Sequence, residues 1–168
     1  MKKSIVLFFC ALNLNADPLD FETLSADFTQ SVQSGEAMIK YTGNFKTTKN
    51  HAFWHYQSPN LKDIYFSLDR IVIIEPELEQ AIMTKVQEAP NVAEILKNAK
   101  LKNGSYKAEF DGIEYFIKFD NDKLKSINYT DKLDNKIVLN FSNVDKNGKI
   151  PNETFIPKIP QNFDIITQ

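Results

Sequence analysis

Apolar and polar residues trade places one by one along most of this chain, and few folds can use that rhythm. Ile39, Tyr41, Gly43 and Phe45 alternate with Lys40, Thr42, Asn44 and Lys46. Ala52, Trp54 and Tyr56 alternate with His51, Phe53, His55 and Gln57, and Ile64, Phe66 and Leu68 with Asp63, Tyr65 and Ser67. The pattern returns in Tyr106, Ala108 and Phe110; in Ile113, Tyr115, Ile117 and Phe119; in Ile127 and Tyr129; and in Ile137, Leu139 and Phe141. Successive side chains of a strand point to opposite faces, so each run has one apolar and one polar face. Turn-forming pairs separate the runs. Asp111-Gly112 suits a two-residue hairpin, while Asn121-Asp122, Asp134-Asn135 and Asn147-Gly148 mark further reversals. Reversals about 8–12 residues apart predict an antiparallel sheet of about ten strands, wound into a barrel or half-barrel.

Three stretches break the rhythm. Residues 17–26 read as a short helix: Asp17 can cap, Pro18 suits the first turn, and Leu19, Phe21 and Leu24 supply an apolar side. Residues 90–100 read as a clearer helix, with Val92, Ile95, Leu96 and Ala99 on one face and Asn91 as cap. Residues 151–160 hold three prolines and must be loop or edge structure. Two short helices are a small cover for the apolar face of so large a sheet. Phe45, Trp54, Tyr56 and Phe66 can either pack on one another as an ordinary core or line a cavity fit for an acyl chain. Composition leaves both open.

The N-terminus places the chain. Lys2 and Lys3 precede an apolar run over residues 5–12, and Leu14-Asn15-Ala16 offers a small residue just before Asp17-Pro18. That order is a secretory signal peptide over residues 1–16, cut after Ala16. The run is too short for a membrane anchor, which needs about 20 apolar residues. Cys10, the only cysteine, lies inside this leader behind Phe9, where a lipid-attachment signal needs a small residue. The mature chain, residues 17–168, therefore has no thiol for a disulfide, a nucleophile or a metal. It is expected to form one domain held by its core. Losing Lys2 and Lys3 leaves 18 basic against 22 acidic groups, a net −4, and argues against binding nucleic acid.

Sites for chemistry are scarce. His51 and His55 would share one strand face about 13 Å apart, too far for one metal ion. No serine lies in a G-x-S-x-G frame, and five glycines make no phosphate-cradling loop. Glu75, Glu77 and Glu79 alternate without anything to mark one as acid and another as base, and read as a solvated edge. No catalytic residue, metal site or cofactor is expected; a hydrolase built on the two histidines has only the residue types in its favour.

Five local signals occur in a telling order. They are Phe28-Thr29-Gln30, then Gly43-Asn44-Phe45 with Lys49, then Trp54-His55-Tyr56 with Pro59, then Pro76 with Glu79-Gln80-Ala81, and last Phe155-Ile156-Pro157 with Pro160. Together they resemble the LolA family, the periplasmic carriers of outer-membrane lipoproteins. The resemblance implies an incomplete antiparallel β-barrel of about eleven strands, closed by short lid helices over an apolar cavity. It implies a periplasmic, monomeric carrier that takes acylated lipoproteins from an inner-membrane ABC-type release complex. An outer-membrane lipoprotein receptor, if one is present, would accept them.

The apolar phase points Ile39, Tyr41, Phe45, Trp54, Tyr56, Ile64 and Phe66 into the acyl-chain cavity, and Met83 is grouped with them. Val92, Ile95 and Leu96 would form the lid. Lys49 stands nearest the family's arginine latch, with a point charge in place of a rigid fork. A second class of function fits the same fold: a half-barrel that senses lipid or misplaced lipoprotein in envelope stress regulation.

Overall fold

The computed structural model describes residues 17–85 and 92–168. Its strands are β1 (Thr23–Ser34), β2 (Ala37–Thr48), β3 (Ala52–Ser58), β4 (Lys62–Phe66), β5 (Arg70–Glu75), β6 (Gln80–Lys85), β7 (Lys100–Lys102), β8 (Ser105–Phe110), β9 (Ile113–Asp120), β10 (Lys123–Thr130), β11 (Lys136–Lys146) and β12 (Asp164–Thr167). One short helix, α1 (Val92–Lys97), precedes β7. The strands form one sheet in the order β12-β6-β5-β4-β3-β2-β1-β11-β10-β9-β8-β7. Because β7 and β12 are its two edges, the barrel is open. Eleven strands follow the expected antiparallel plan, and β12 adds a twelfth, parallel to β6.

The long β1–β2 hairpin organises the sheet. Phe28 lies opposite Gly43 on one side and Phe141 on the other, while Ala26 faces Phe45 and Phe45 faces Trp54. Trp54 then faces Ile64, and Ile64 faces Ile73. These pairings put the apolar phases of β1–β4 on a single inner face. Leu24, Phe28, Phe45, Ala52, Tyr115, Ile117 and Ile127 are all buried there in one continuous cluster with Val92, Ile95 and Leu96 of α1.

The first helix expected from the sequence does not form. Asp20 N–H donates to the Asp17 carbonyl at 3.0 Å, closing one turn, and β1 begins at Thr23. Leu24, Ala26 and Phe28 are buried at every second residue, and β1 pairs with both β2 and β11. Pairing on both sides satisfies the backbone where a short isolated helix is marginal. Helix α1 is also shorter than residues 90–100 suggested, because Lys100 starts β7. Asn91, its expected cap, lies outside the described residues, as does the expected leader over residues 1–16.

The turns follow their chemistry. Asp111 and Gly112 take φ of 51° and 76° between β8 and β9, and Asn121 and Asp122 take 47° and 60° between β9 and β10. Both are two-residue connections with positive φ at each position. Between β10 and β11, Asp131 Oδ1 accepts hydrogen bonds from the Leu133 and Asn135 amides at 2.9 Å.

Residues 71–74 are apolar on both phases, which no half-exposed strand needs. The structure gives the second phase its own cover. Val72, Ile74 and Ala81 form a cluster on the outer face beneath Ile159 and Phe163 of the proline-rich tail. That tail enters through a short 3-10 turn, Asn152–Phe155, and ends in β12.

Candidate functional site

The inner face is tightly filled at one end. The Phe45 ring sits 4.6 Å from Trp54 and 6.0 Å from Phe141, and its side chain has no exposed surface. Phe28 meets Trp54 and Tyr56 edge-on, both at 5.0 Å, arrangements that add about 0.5–1.5 kcal/mol per pair beyond burial. Phe28 can lie so low only because Gly43 has no side chain. A Cβ at that position would stand 2.0 Å from the His55 carbonyl oxygen and 2.9 Å from the Phe28 ring.

Further along the same face the packing opens into a cavity of about 320 Å³. Trp54, Tyr56, Ile64 and Phe66 form one wall, Ile113, Tyr115, Ile127, Tyr129 and Leu139 the other, and Val92 and Ile95 of α1 close over them. Its size falls at the lower end of ordinary ligand pockets, about 300–1,000 Å³. The cover is slight: α1 has six residues, four of them buried.

The far end of the cavity is polar. Tyr56 Oη donates to Gln30 Oε1 at 2.9 Å, and Tyr129 and Asp131 complete the rim. Burial raises the Tyr56 phenol far above its usual range, helped by Tyr129 and Tyr41. Burial, Tyr115 and Asp131 together push Tyr129 up to about 12. The Asn135 side-chain amide and the turn amides hold Asp131 below the usual carboxylate range. Both phenols therefore stay protonated donors beside an ionised carboxylate. A neighbouring pocket of about 290 Å³ continues from Tyr56 to Tyr41, Lys62 and Glu75, where Lys62 and Glu75 pair at 3.4 Å.

Of the expected cavity residues, Trp54, Tyr56, Ile64 and Phe66 line it. Phe45 is instead packed solid beside it, Tyr41 belongs to the neighbouring pocket, and Ile39 is on the right face but 49% exposed near the hairpin end. Met83 is placed on the wrong face: its register partner is Val72, so it points outward into the second cluster. Val92 and Ile95 border the cavity, and Leu96 is buried in the core beside them. Lys49 pairs with Glu22 of the N-terminal segment at 2.5 Å, not with α1; both side chains are exposed, so the pair contributes little. Gln30, Tyr129 and Asp131 also line the cavity. The alternation carries Tyr129, and the Phe28-Thr29-Gln30 signal carries Gln30 without placing it in the cavity, while nothing local in the sequence marks Asp131.

The histidines take separate tasks on the outer face: His51 packs 5.8 Å from Phe155, and His55 Nδ1 lies 2.6 Å from Asp63 Oδ1. Among the described residues no three His, Cys, Asp or Glu side chains gather as a metal site.

A curved open sheet with a helix-covered apolar cavity defines a binding protein. The family model described as "Outer membrane lipoprotein carrier protein LolA" matches residues 20–100. An outer-membrane lipoprotein carrier protein of Campylobacter jejuni is 39% identical over 168 residues, 99% of each chain. One from Helicobacter pylori is 30% identical over 181 residues, covering 100% of this chain and 98% of its own. This chain belongs to the outer-membrane lipoprotein carrier family. Solved structures agree on the fold. An uncharacterised conserved protein of Thermus thermophilus superposes with a TM-score of 0.57 at 6% identity over 92% of this chain and 95% of its own. A LolA superfamily protein of Nitrosomonas europaea does so with 0.51 at 10% identity over 85% and 94%.

Proposed function

We propose that this protein carries lipoproteins through the periplasm to the outer membrane by holding their acyl chains against its inner face. The observation that carries the reading is the apolar cavity under α1, in a chain of the carrier family. The work is binding and release. Each buried methylene contributes about 0.8 kcal/mol, so a chain that entered a rigid, empty site would be held too well to hand on. Here Val92, Ile95 and Leu96 already pack on that face. Cargo must displace them, and their return offsets part of the cost of its departure.

On this reading residues 1–16 are a leader removed on export, and residues 17–168 are the carrier domain, acting as a monomer. The acylated cargo comes from an ABC-type release complex in the inner membrane and goes to a receptor at the outer membrane. Purification from periplasm followed by mass spectrometry of bound material and of the protein's N-terminus tests this. Acylated peptides and a start at Asp17 are expected. A metal ion or small metabolite alone in the cavity would overturn the carrier reading.

A further inference from the structure

The cavity holds hydrogen-bond donors that the protein itself does not use. Tyr56 gives its proton to Gln30 Oε1, which leaves Gln30 Nε2 as an unused donor. Neither that amide nitrogen nor Tyr129 Oη has a hydrogen-bond partner among the described residues, although both side chains are half-buried in the cavity rim. Both atoms reach solvent at the rim, so a ligand entering there displaces their hydration, and one that accepts hydrogen bonds replaces it at the least cost.

Two further features narrow that ligand. From the donors, the cavity runs inward past Ile64 and Phe66 to Ile95, so an acceptor bound at the rim would carry an apolar tail. Charge decides the rest. Asp131 sits at the same rim, and among the described residues that line the cavity none is basic. An anionic head would meet the Asp131 carboxylate with no cation in the cavity lining to offset the repulsion, which disfavours it relative to a neutral head.

We propose that Gln30 and Tyr129 form a carbonyl-recognition site for acyl esters and amides, the links that join fatty chains to a glyceryl-modified cysteine, and that Asp131 discriminates against free fatty acids. The proposal rests on the carrier reading and adds its specificity: the protein would recognise the neutral linkage as well as the chain. Tyr129 keeps its proton up to about 12, so the donor persists across the physiological range.

Three probes of equal chain length separate the possibilities: a diacylglyceryl-cysteine peptide, its dialkyl ether analogue without ester carbonyls, and palmitate. Trp54 is the chain's one tryptophan and lines the cavity, so its emission can report binding. The ester probe should bind about fivefold more tightly than the ether, the effect of one or two net hydrogen bonds, and palmitate should bind most weakly. Tyr129→Phe should bring the ester-to-ether ratio towards one. Equal binding of ester and ether by the natural protein, or palmitate bound as tightly as the ester, would overturn this proposal and leave the carrier reading standing. Failure of both lipopeptide probes to bind would overturn both. Should Tyr129→Phe not fold, the ratio measured on the natural protein still decides.

Discussion

The two ends of the inner face use the same kinds of side chain in opposite ways. At the Phe45 end, aromatic rings interlock: Phe45, Trp54, Phe28 and Phe141 sit within 6.0 Å of a neighbour, and Phe45 is wholly buried. At the Tyr129 end, rings line a space without filling it, and the Tyr56 phenol reaches Gln30 at its rim. A close-packed core and a binding cavity are thus continuous on one sheet. What separates them is whether facing strands supply enough volume to meet, not how apolar either end is.

The largest effect should come from emptying the packed end. Phe45→Ala should lower the free energy of unfolding by about 3–5 kcal/mol, read by denaturant titration, whereas Ile64→Ala at the cavity wall should cost clearly less. Equal losses would mean that both ends are ordinary core and the cavity is not a distinct region.

Gly43 marks the seam between the ends, and the next effect should be found there. A Cβ at this position meets the His55 backbone oxygen at 2.0 Å, an atom that no side-chain rotation can move. Gly43→Ala should cost about 1–3 kcal/mol through overpacking and should displace Phe28, visible as altered near-ultraviolet dichroism. A variant as stable as the natural protein would show that Phe28 can lift without loss, and that the packed end is looser than its contacts indicate.

The smallest effect is a titration at the Tyr129 end. The folded protein holds the Tyr129 proton up to about 12, whereas an unfolded chain releases it near 10. Stability from this group is therefore complete below pH about 10 and is lost as pH rises towards 12. Thermal unfolding between pH 9 and 12 should fall less steeply in Tyr129→Phe than in the natural protein. Identical profiles would mean that the phenol is fully hydrated and that this end is open water rather than a half-buried rim.

Much of this was legible in the residue order. The alternation through residues 39–45, 52–56 and 106–119 announced an antiparallel sheet, and the apolar spacing of Val92, Ile95 and Leu96 announced α1. Leu24 deceived because a strand and a short helix can share a few apolar positions, and pairing on both edges of β1 decided between them. Met83 deceived for a related reason. Period two says that a strand has two faces but not which one turns inward, and in β6 the pairing of Met83 with Val72 settles it.

The sequence alone determined that this chain must form a curved antiparallel sheet with one apolar face too large for its helices, because side-chain period and turn chemistry are local properties of neighbouring residues. Only the tertiary structure decided where that face is filled and where it is hollow. Tyr56 on β3, Gln30 on β1 and Tyr129 on β10 are far apart in sequence, and they share one rim because the sheet curls to bring β3 and β10 face to face. The volume left between them is a property of the whole curve.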